Sequence, residues 1–145
     1  MVNNAKIIFD ARSENEGFAR MVVMGFMMGM NPTMDELQDV KTAVSEAVTN
    51  AIIHGYAQRE EAQVELTCMR EGRLLTVAVT DQGIGIQNVE EARQPFYTTK
   101  PEEERSGMGF SFMETFMDEV EIVSEVGKGT RVTMRKYIEE GACDQ

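Results

Sequence analysis

The 145-residue chain has few of the residues that build histidine metal sites or redox sites, since it contains one histidine and two cysteines. His54 has no second histidine to complete a histidine-based metal site within the chain. Cys68 and Cys143 lie far apart in sequence and form no metal-like or redox-like cluster. We therefore expect both cysteines to be reduced thiols in the cytoplasm.

Long apolar runs are also absent from the sequence. A membrane-spanning helix needs roughly 18 or more consecutive apolar residues, whereas the longest candidate, Met21 to Met30, is shorter, contains two glycines and follows Arg20. The N-terminus shows no basic segment followed by a long apolar stretch, so we expect no signal peptide. These absences predict a cytoplasmic protein with no membrane partner.

Positive charge is scarce, because 14 Lys and Arg residues face 25 Asp and Glu residues, for a formal net charge of −11. An acidic surface repels phosphates, so we expect a basic protein partner and no direct nucleic acid partner. A bound nucleotide would therefore need local cations, backbone N–H groups and a metal ion. With 42% hydrophobic and 27% charged residues, residues 1–145 fit one globular domain.

Hydrophobic periodicity predicts two helices near the N-terminus and two β-hairpins after them. Ser13 and Thr33 are each followed three residues later by glutamate, which is the capping-box spacing at a helix start. The second helix should reach about Ile53 and stop at Gly55. The predicted helices are 14–28, 33–53 and 110–116, and the predicted strands are 6–9, 63–69, 74–80, 119–125 and 130–137.

This element order predicts an α+β fold, in which an antiparallel or mixed, mostly antiparallel sheet carries the helices on one face as a two-layer sandwich. The segment from Gln82 to Met117 lies between the two hairpins and is rich in glycine, proline and charge. A compact domain rarely carries so long an irregular stretch without a function for it.

Four short patterns carry possible chemistry. Glu46 and Asn50 lie four residues apart on one helix face with apolar neighbours, where they form either a structural hydrogen bond or a metal and base site. Asp81-Gln82-Gly83-Ile84-Gly85 follows an apolar strand, and its aspartate suits an exocyclic amine such as adenine N6, although simple turns share this pattern. Ser106 to Phe110 places glycines before a helix start, which suits phosphate. Gly127 to Thr130 reads by itself as a hairpin turn.

The order and spacing of these four patterns resemble the GHKL (Bergerat) ATPase superfamily, which includes gyrase, MutL and the histidine kinases. Three longer segments, Ala11 to Glu16, Ser45 to Tyr56 and Glu91 to Phe110, resemble the anti-sigma F factors of spore-forming bacteria. The likeness covers nearly the whole chain and is least clear at both ends and around residues 57–63.

The resemblance implies a role for each matching residue. Glu46 corresponds to the general base, and Asn50 corresponds to the Mg²⁺ ligand. Asp81 corresponds to the residue that recognises adenine, and Gly83 and Gly85 shape its pocket.

The remaining implied contacts lie in the late hairpin and in an ATP lid over residues 98–109. Thr130 supports adenine recognition through its hydroxyl, and Arg105 reaches the γ-phosphate. Gly107 and Gly109 let backbone N–H groups approach phosphate. The other lid residues assigned to the nucleotide are Thr98, Thr99 and Lys100.

The resemblance also implies ATP or ADP and Mg²⁺ as cofactors, and two protein partners. The family binds and inhibits the sporulation sigma factor sigma F, and it phosphorylates a serine of an anti-anti-sigma protein. Glu16 and Arg20, four residues apart on the first helix, are either an exposed ion pair or part of a docking surface for both partners. Family members are homodimers, and either the strand near Lys6 to Phe9 or the first helix is the expected interface.

Other functions remain alternatives. The chain is either this kinase, the related kinase of the general stress-response sigma factor, or a kinase-inactive module that binds a sigma factor in an ATP-dependent way. A sensor histidine kinase is not expected, because His54 lies in the helix of Glu46 and Asn50 and not on a dimerisation helix. Gyrase-like ATPases need a further transducer domain, for which 145 residues leave no space.

Overall fold

A computed structural model describes residues 2–55, 62–86, 88–93 and 109–139. The elements follow the predicted order, with one unpredicted short helix in the long irregular segment. The second helix was predicted to reach about Ile53 and stop at Gly55, and its last residues form a π-helical turn, Ala51–Gly55. The bounds are β1 Val2–Asp10, α1 Asn15–Met28, α2 Met34–Asn50, β2 Gln63–Glu71, β3 Leu74–Asp81, α3 Val89–Ala92, α4 Gly109–Phe116, β4 Glu119–Glu125 and β5 Gly129–Tyr137.

The five strands form one sheet in the order β1-β2-β3-β5-β4, and every pairing among the described strands is antiparallel. Helices α1, α2 and α4 share one apolar core with one face of this sheet, through residues such as Val23, Val44, Val77 and Met113. The predicted α+β class with a helical layer is confirmed. Within the described ranges, no helix is long and apolar enough to cross a bilayer.

The two predicted capping boxes have different outcomes. At α2, the Thr33 hydroxyl accepts the Glu36 N–H at 3.1 Å, and Glu36 accepts the Thr33 N–H at 2.9 Å, so this box is confirmed. At α1 the prediction was wrong, because the helix begins at Asn15 after Glu14, which makes no side-chain cap. The glutamate that would complete the Ser13 box, Glu16, instead accepts the Ser45 hydroxyl of α2 at 3.0 Å.

An arginine in the β2–β3 turn holds the far end of the sheet to the helical layer. The guanidinium of Arg73 donates to the carbonyl oxygens of Met30 at 2.7 Å, Ile138 at 2.8 Å and Glu139 at 2.9 Å. Arg70 donates from the same hairpin to Gly29 O at 2.9 Å. These bonds satisfy carbonyls of the α1–α2 connection and of the chain after β5, which have no partner in a regular element.

Replacing Arg73 with methionine should lower the free energy of unfolding by about 3 kcal/mol, because several charge-assisted hydrogen bonds to partly buried carbonyls are lost together. Urea unfolding followed by circular dichroism measures this change. Arg70→Met is the matched control, and a loss of only about 1 kcal/mol is expected there, since the Arg70 hydrogen bonds are exposed whereas two of those of Arg73 are partly buried. Equal losses for the two variants would contradict the role of Arg73.

Candidate functional site

A row of three polar side chains crosses the helix-facing side of the sheet. Asp81, at the end of β3, pairs in register with Thr130 of β5, which pairs with Ser124 of β4. Thr130 lies two residues before the core residue Val132, so alternation turns its side chain toward the helices. Asp81 is 6% exposed and Thr130 is 8% exposed. We call Asp81, Thr130 and Ser124 the polar row.

The Asp81 carboxylate is held by backbone donors on both sides. Its Oδ1 accepts the N–H of Gly83 at 2.9 Å, and the backbone N–H of Thr130 also bonds to the carboxylate. Burial raises the pKa of Asp81 from its ordinary value of 3.8 to about 6, although these two bonds act in the opposite direction. A buried carboxylate at a strand end suits a hydrogen-bond donor such as an exocyclic amine.

Two glycines bring the loop after β3 directly against the β4–β5 turn. Gly85 has a φ of 78° and Gly129 has a φ of 113°, which favour glycine. A Cβ on Gly129 would collide with the carbonyl oxygen of Asp81, and a Cβ on Gly85 would collide with that of Glu125. The N–H of Gly127 also donates to Ile84 O at 2.9 Å. The two glycines therefore allow a close backbone-to-backbone contact beside Asp81, which we call the glycine cradle.

Sequence reasoning missed Ser124. Its hydroxyl accepts the N–H of Ile86 at 2.7 Å and lies 2.8 Å from the Thr130 hydroxyl. Ser124 therefore joins the loop after β3 to the other two members of the polar row. A signal was present in β4, where Val120 and Ile122 pack on the core and Ser124 follows in the same alternating phase. A polar residue in that phase indicates a polar patch on the helix-facing side.

Glu46 and Asn50 lie in the last turns of α2, and both side chains are half-buried. Glu46 has an interaction partner in the structure. The π-helical turn that follows Asn50 contacts β3 and β5, the two strands that carry Asp81 and Thr130. Such turns interrupt α-helices frequently at functional sites. The end of α2 that bears Glu46 and Asn50 thus adjoins the strands of the polar row, and the roles of both residues remain predictions.

Helix α4 begins at the predicted phosphate contact Gly109, and α2 packs against it. The Ser111 hydroxyl in its first turn donates to Arg93 O at 3.3 Å. At its other end, Lys136 Nζ donates to Phe116 O at 2.8 Å, which suits the negative end of a helix. Five predicted lid contacts lie outside the described residues, namely Thr98, Thr99, Lys100, Arg105 and Gly107.

The predicted pair of α1 is present as an ion pair, with 3.7 Å between Arg20 Nε and Glu16 Oε2. The same Glu16 oxygen accepts the Ser45 hydroxyl, so Glu16 also ties α1 to α2. The Glu16 side chain is 20% exposed and that of Arg20 is 34% exposed. Arg20 is therefore the more accessible member of the pair for a partner, and the docking role remains a prediction.

The described residues fit a magnesium-bound nucleotide in the chemistry of their donors. No group of three or more His, Cys, Asp or Glu side chains is clustered as a metal site within the described ranges. Mg²⁺ in nucleotide sites takes one or two protein oxygens and completes its shell with phosphates and water. The amide oxygen of Asn50 is a ligand of this kind, and the buried Asp81 carboxylate is an acceptor that suits the amino group of a base.

The raised pKa of Asp81 predicts a stability that depends on pH. The unfolded chain releases this proton near pH 4, whereas the folded protein holds it to about pH 6, so this stabilising contribution is present below about pH 4 and is lost as pH rises through about 6. Asp81→Asn keeps an oxygen for the Gly83 N–H and does not titrate. As pH rises from about 4 to about 7, the free energy of unfolding of wild type should therefore fall by about 2–3 kcal/mol relative to that of the variant.

Urea unfolding of both proteins at the two pH values measures this relative change. A stability difference between Asp81→Asn and wild type that stays constant over this pH range would show that the Asp81 carboxylate titrates normally in the folded protein.

Comparison with known proteins supports the sequence resemblance. The family described as "Histidine kinase-like ATPase domain" matches residues 9–136. The anti-sigma F factor of Geobacillus kaustophilus is 55% identical over 138 residues, covering 95% of this chain and 94% of that protein. The anti-sigma F factor of Clostridium perfringens strain SM101 is 55% identical over 136 residues, covering 94% and 97% of the two chains.

A solved structure supports the fold alone. The crystal structure of the RsbU and RsbW domains of a Mycobacterium tuberculosis protein has a TM-score of 0.69 at 19% identity. The match covers 94% of this chain and 32% of that longer chain. The agreement of fold, family match and near full-length relatives leads to one assignment. The chain belongs to the anti-sigma F factor family, within the histidine kinase-like ATPase domains.

Proposed function

We propose that the protein is an anti-sigma factor and a serine protein kinase. It binds Mg-ATP between the polar row and the end of α2, inhibits the sporulation sigma factor sigma F, and phosphorylates a serine of the anti-anti-sigma protein. The observation that carries this proposal is the buried Asp81 carboxylate beside a glycine cradle, on strands that contact the end of the helix bearing Glu46 and Asn50. The names of relatives that are 53–56% identical support the sigma factor as partner.

The adenine end of the site is the polar row. Asp81 accepts a hydrogen bond from the 6-amino group of adenine, and Thr130 offers a hydroxyl next to it. Gly83 and Gly85 have no side chain, so the base can lie close to the backbone there. Because this pocket is largely buried, each hydrogen bond there discriminates strongly between bases that match it and bases that do not.

The phosphate end of the site lies at the end of α2 and the start of α4. Bound Mg²⁺ supplies charge neutralisation for the phosphates. The Asn50 oxygen holds the metal, and the N–H groups near Gly109 at the start of α4 face phosphate oxygens. Glu46 takes the proton from the serine hydroxyl of the partner as that oxygen attacks the γ-phosphorus and ADP leaves. The lid residues proposed to contact the nucleotide are Thr98, Thr99, Lys100, Arg105 and Gly107.

The net charge of −11 favours partners with basic surfaces. Arg20, with Glu16, is the proposed docking point on α1 for sigma factor and anti-anti-sigma protein.

We propose one domain over residues 1–145 that acts as a homodimer in the cytoplasm. Both candidate interfaces present apolar groups, since Ile8 of the edge strand β1 is 57% exposed and Met21 of α1 is 66% exposed.

Glu46→Gln tests the base, because glutamine keeps the size and polarity of the side chain and cannot take a proton. Phosphate transfer to the anti-anti-sigma protein should fall by about 10²–10⁴-fold while ATP affinity stays nearly unchanged. Intact-mass measurement of the partner after incubation with ATP gives the rate. The matched control is Glu71→Gln, at the end of β2, where it pairs with Leu74 at the end of β3 far from Asp81. Full phosphate transfer by the Glu46 variant would remove this residue from the base role.

Asn50→Ala tests the metal ligand, since it removes the amide oxygen without adding charge. The Mg²⁺-dependent part of ATP affinity should fall by about tenfold or more, as expected when roughly 1.4 kcal/mol of binding is lost. Calorimetry with and without Mg²⁺ separates this effect from metal-independent binding. Asn4→Ala, on the exposed edge strand, is the control. Equal Mg²⁺ dependence in wild type and Asn50→Ala would refute the ligand assignment.

A further inference from the structure

The first turn of α1 lacks the side-chain cap that its sequence predicts, because the glutamate of that cap is bonded to another helix. The Ser13 box would use Glu16 as an acceptor at the start of α1. Instead, Glu16 Oε2 accepts the Ser45 hydroxyl of α2 at 3.0 Å. A missing cap lowers the stability of a helix, and departures from a local rule are expected at functional sites. The bond between Glu16 and Ser45 is therefore a candidate for a functional link between α1 and α2.

Glu16 Oε2 is shared between Ser45 and the proposed docking residue. The Arg20 Nε atom lies 3.7 Å from the same oxygen. The Arg20 Nη2 atom lies 3.7 Å from the place that a Cβ on Gly17 would occupy, so the guanidinium lies back along the first turn of α1. Because the contact between Arg20 and Glu16 is longer than a hydrogen bond, the guanidinium keeps its N–H donors for the acceptor groups of a partner.

The Ser45 hydroxyl fixes the position of the carboxylate that holds Arg20. An ionised carboxylate only accepts hydrogen bonds, so the serine is the donor, and the contact is partly buried. Ser45 directly precedes the proposed base Glu46 in the same helix. The position of Arg20 on α1 is therefore tied, through one carboxylate, to the part of α2 that carries the base.

From this geometry we infer that Ser45 is a positioning residue for the protein substrate. Through Glu16, Ser45 holds Arg20 in one place relative to Glu46, so that a partner docked on α1 brings its serine to the base. A side chain that is already held in its bound position loses less conformational freedom when the partner binds. This inference rests on the proposed kinase function and on the proposed docking role of Arg20.

Ser45→Ala removes the donor and leaves Arg20 and Glu46 in the chain. The kcat/KM for phosphate transfer to the anti-anti-sigma protein should fall by about fivefold, mainly through a higher KM for that protein, because one long side chain must then be ordered on docking. ATP affinity should stay within about twofold of wild type, since this bond joins α1 to α2 and is not a nucleotide contact. Initial rates at saturating Mg-ATP give kcat and KM, and calorimetry gives the ATP affinity.

Thr42→Ala is the matched control on the same helix. The Thr42 hydroxyl donates within α2, to Gln38 O at 3.0 Å, and does not join two helices. This variant should keep KM, kcat and ATP affinity within about twofold of wild type. If ATP affinity in Ser45→Ala falls as much as kcat/KM does, Ser45 only supports the fold, and the inference is overturned.

A double-mutant cycle tests whether Ser45 acts through the docking arginine. On an Arg20→Met background no guanidinium remains to be held, so Ser45→Ala should change kcat/KM by less than about twofold. An equal loss on both backgrounds would show that the effect of Ser45 does not pass through Arg20, and it would overturn the inference. An unchanged kcat/KM in Ser45→Ala alone would overturn it as well.

The same rates separate this inference from the proposed function. If wild type transfers phosphate and Arg20→Met does so equally well, the docking role of Arg20 and the inference fail while the kinase stands. If wild type transfers no phosphate, the kinase and the inference fail together. If Ser45→Ala does not fold, Ser45→Cys replaces it, because a thiol is a weaker donor. A kcat/KM of Ser45→Cys equal to that of wild type overturns the inference, and a loss that disappears on the Arg20→Met background supports it.

Discussion

The buried carboxylate of Asp81 is the group on which the arrangement of the site depends. It ends the central strand β3, accepts the Gly83 N–H of the following loop, and accepts the Thr130 N–H of the neighbouring strand. The loop and the β4–β5 turn can approach it only because Gly85 and Gly129 have no side chain. A charged group in so dry a place is costly, and its raised pKa is the measure of that cost.

The rest of the fold places α2 over these strands. The capping box of Thr33 and Glu36 fixes where α2 begins, and the core residues Val40, Val44 and Val48 fix which of its faces meets the sheet. Glu36 also accepts the N–H of Glu139 at 2.7 Å, so the segment that follows β5 is tied to the same helix start. These local bonds determine where the end of α2 lies relative to the polar row.

Much of this could be predicted from sequence, for identifiable reasons. The strands alternate clearly and the Thr33 box is local, so both were correct. The π-helical turn was not predicted, and the four-residue helix α3 was missed although Asn88 caps it by accepting the Glu91 N–H at 3.0 Å. The Ser13 box failed because Glu16 has a distant partner, Ser45. Asp81 and Thr130 were found through motifs. Ser124 was missed although its alternating phase in β4 places it on the helix-facing side, and the register of β4 against β5 sets it beside Thr130.

A crystal structure of the protein with Mg-ADP tests the central claim most directly. The base should lie against the glycine cradle, with its 6-amino group on the Asp81 carboxylate and its neighbouring ring nitrogen facing Thr130. The metal should be bound by the side-chain oxygen of Asn50. A nucleotide bound elsewhere on the protein, or a base that leaves the Asp81 carboxylate without contact, would contradict the account.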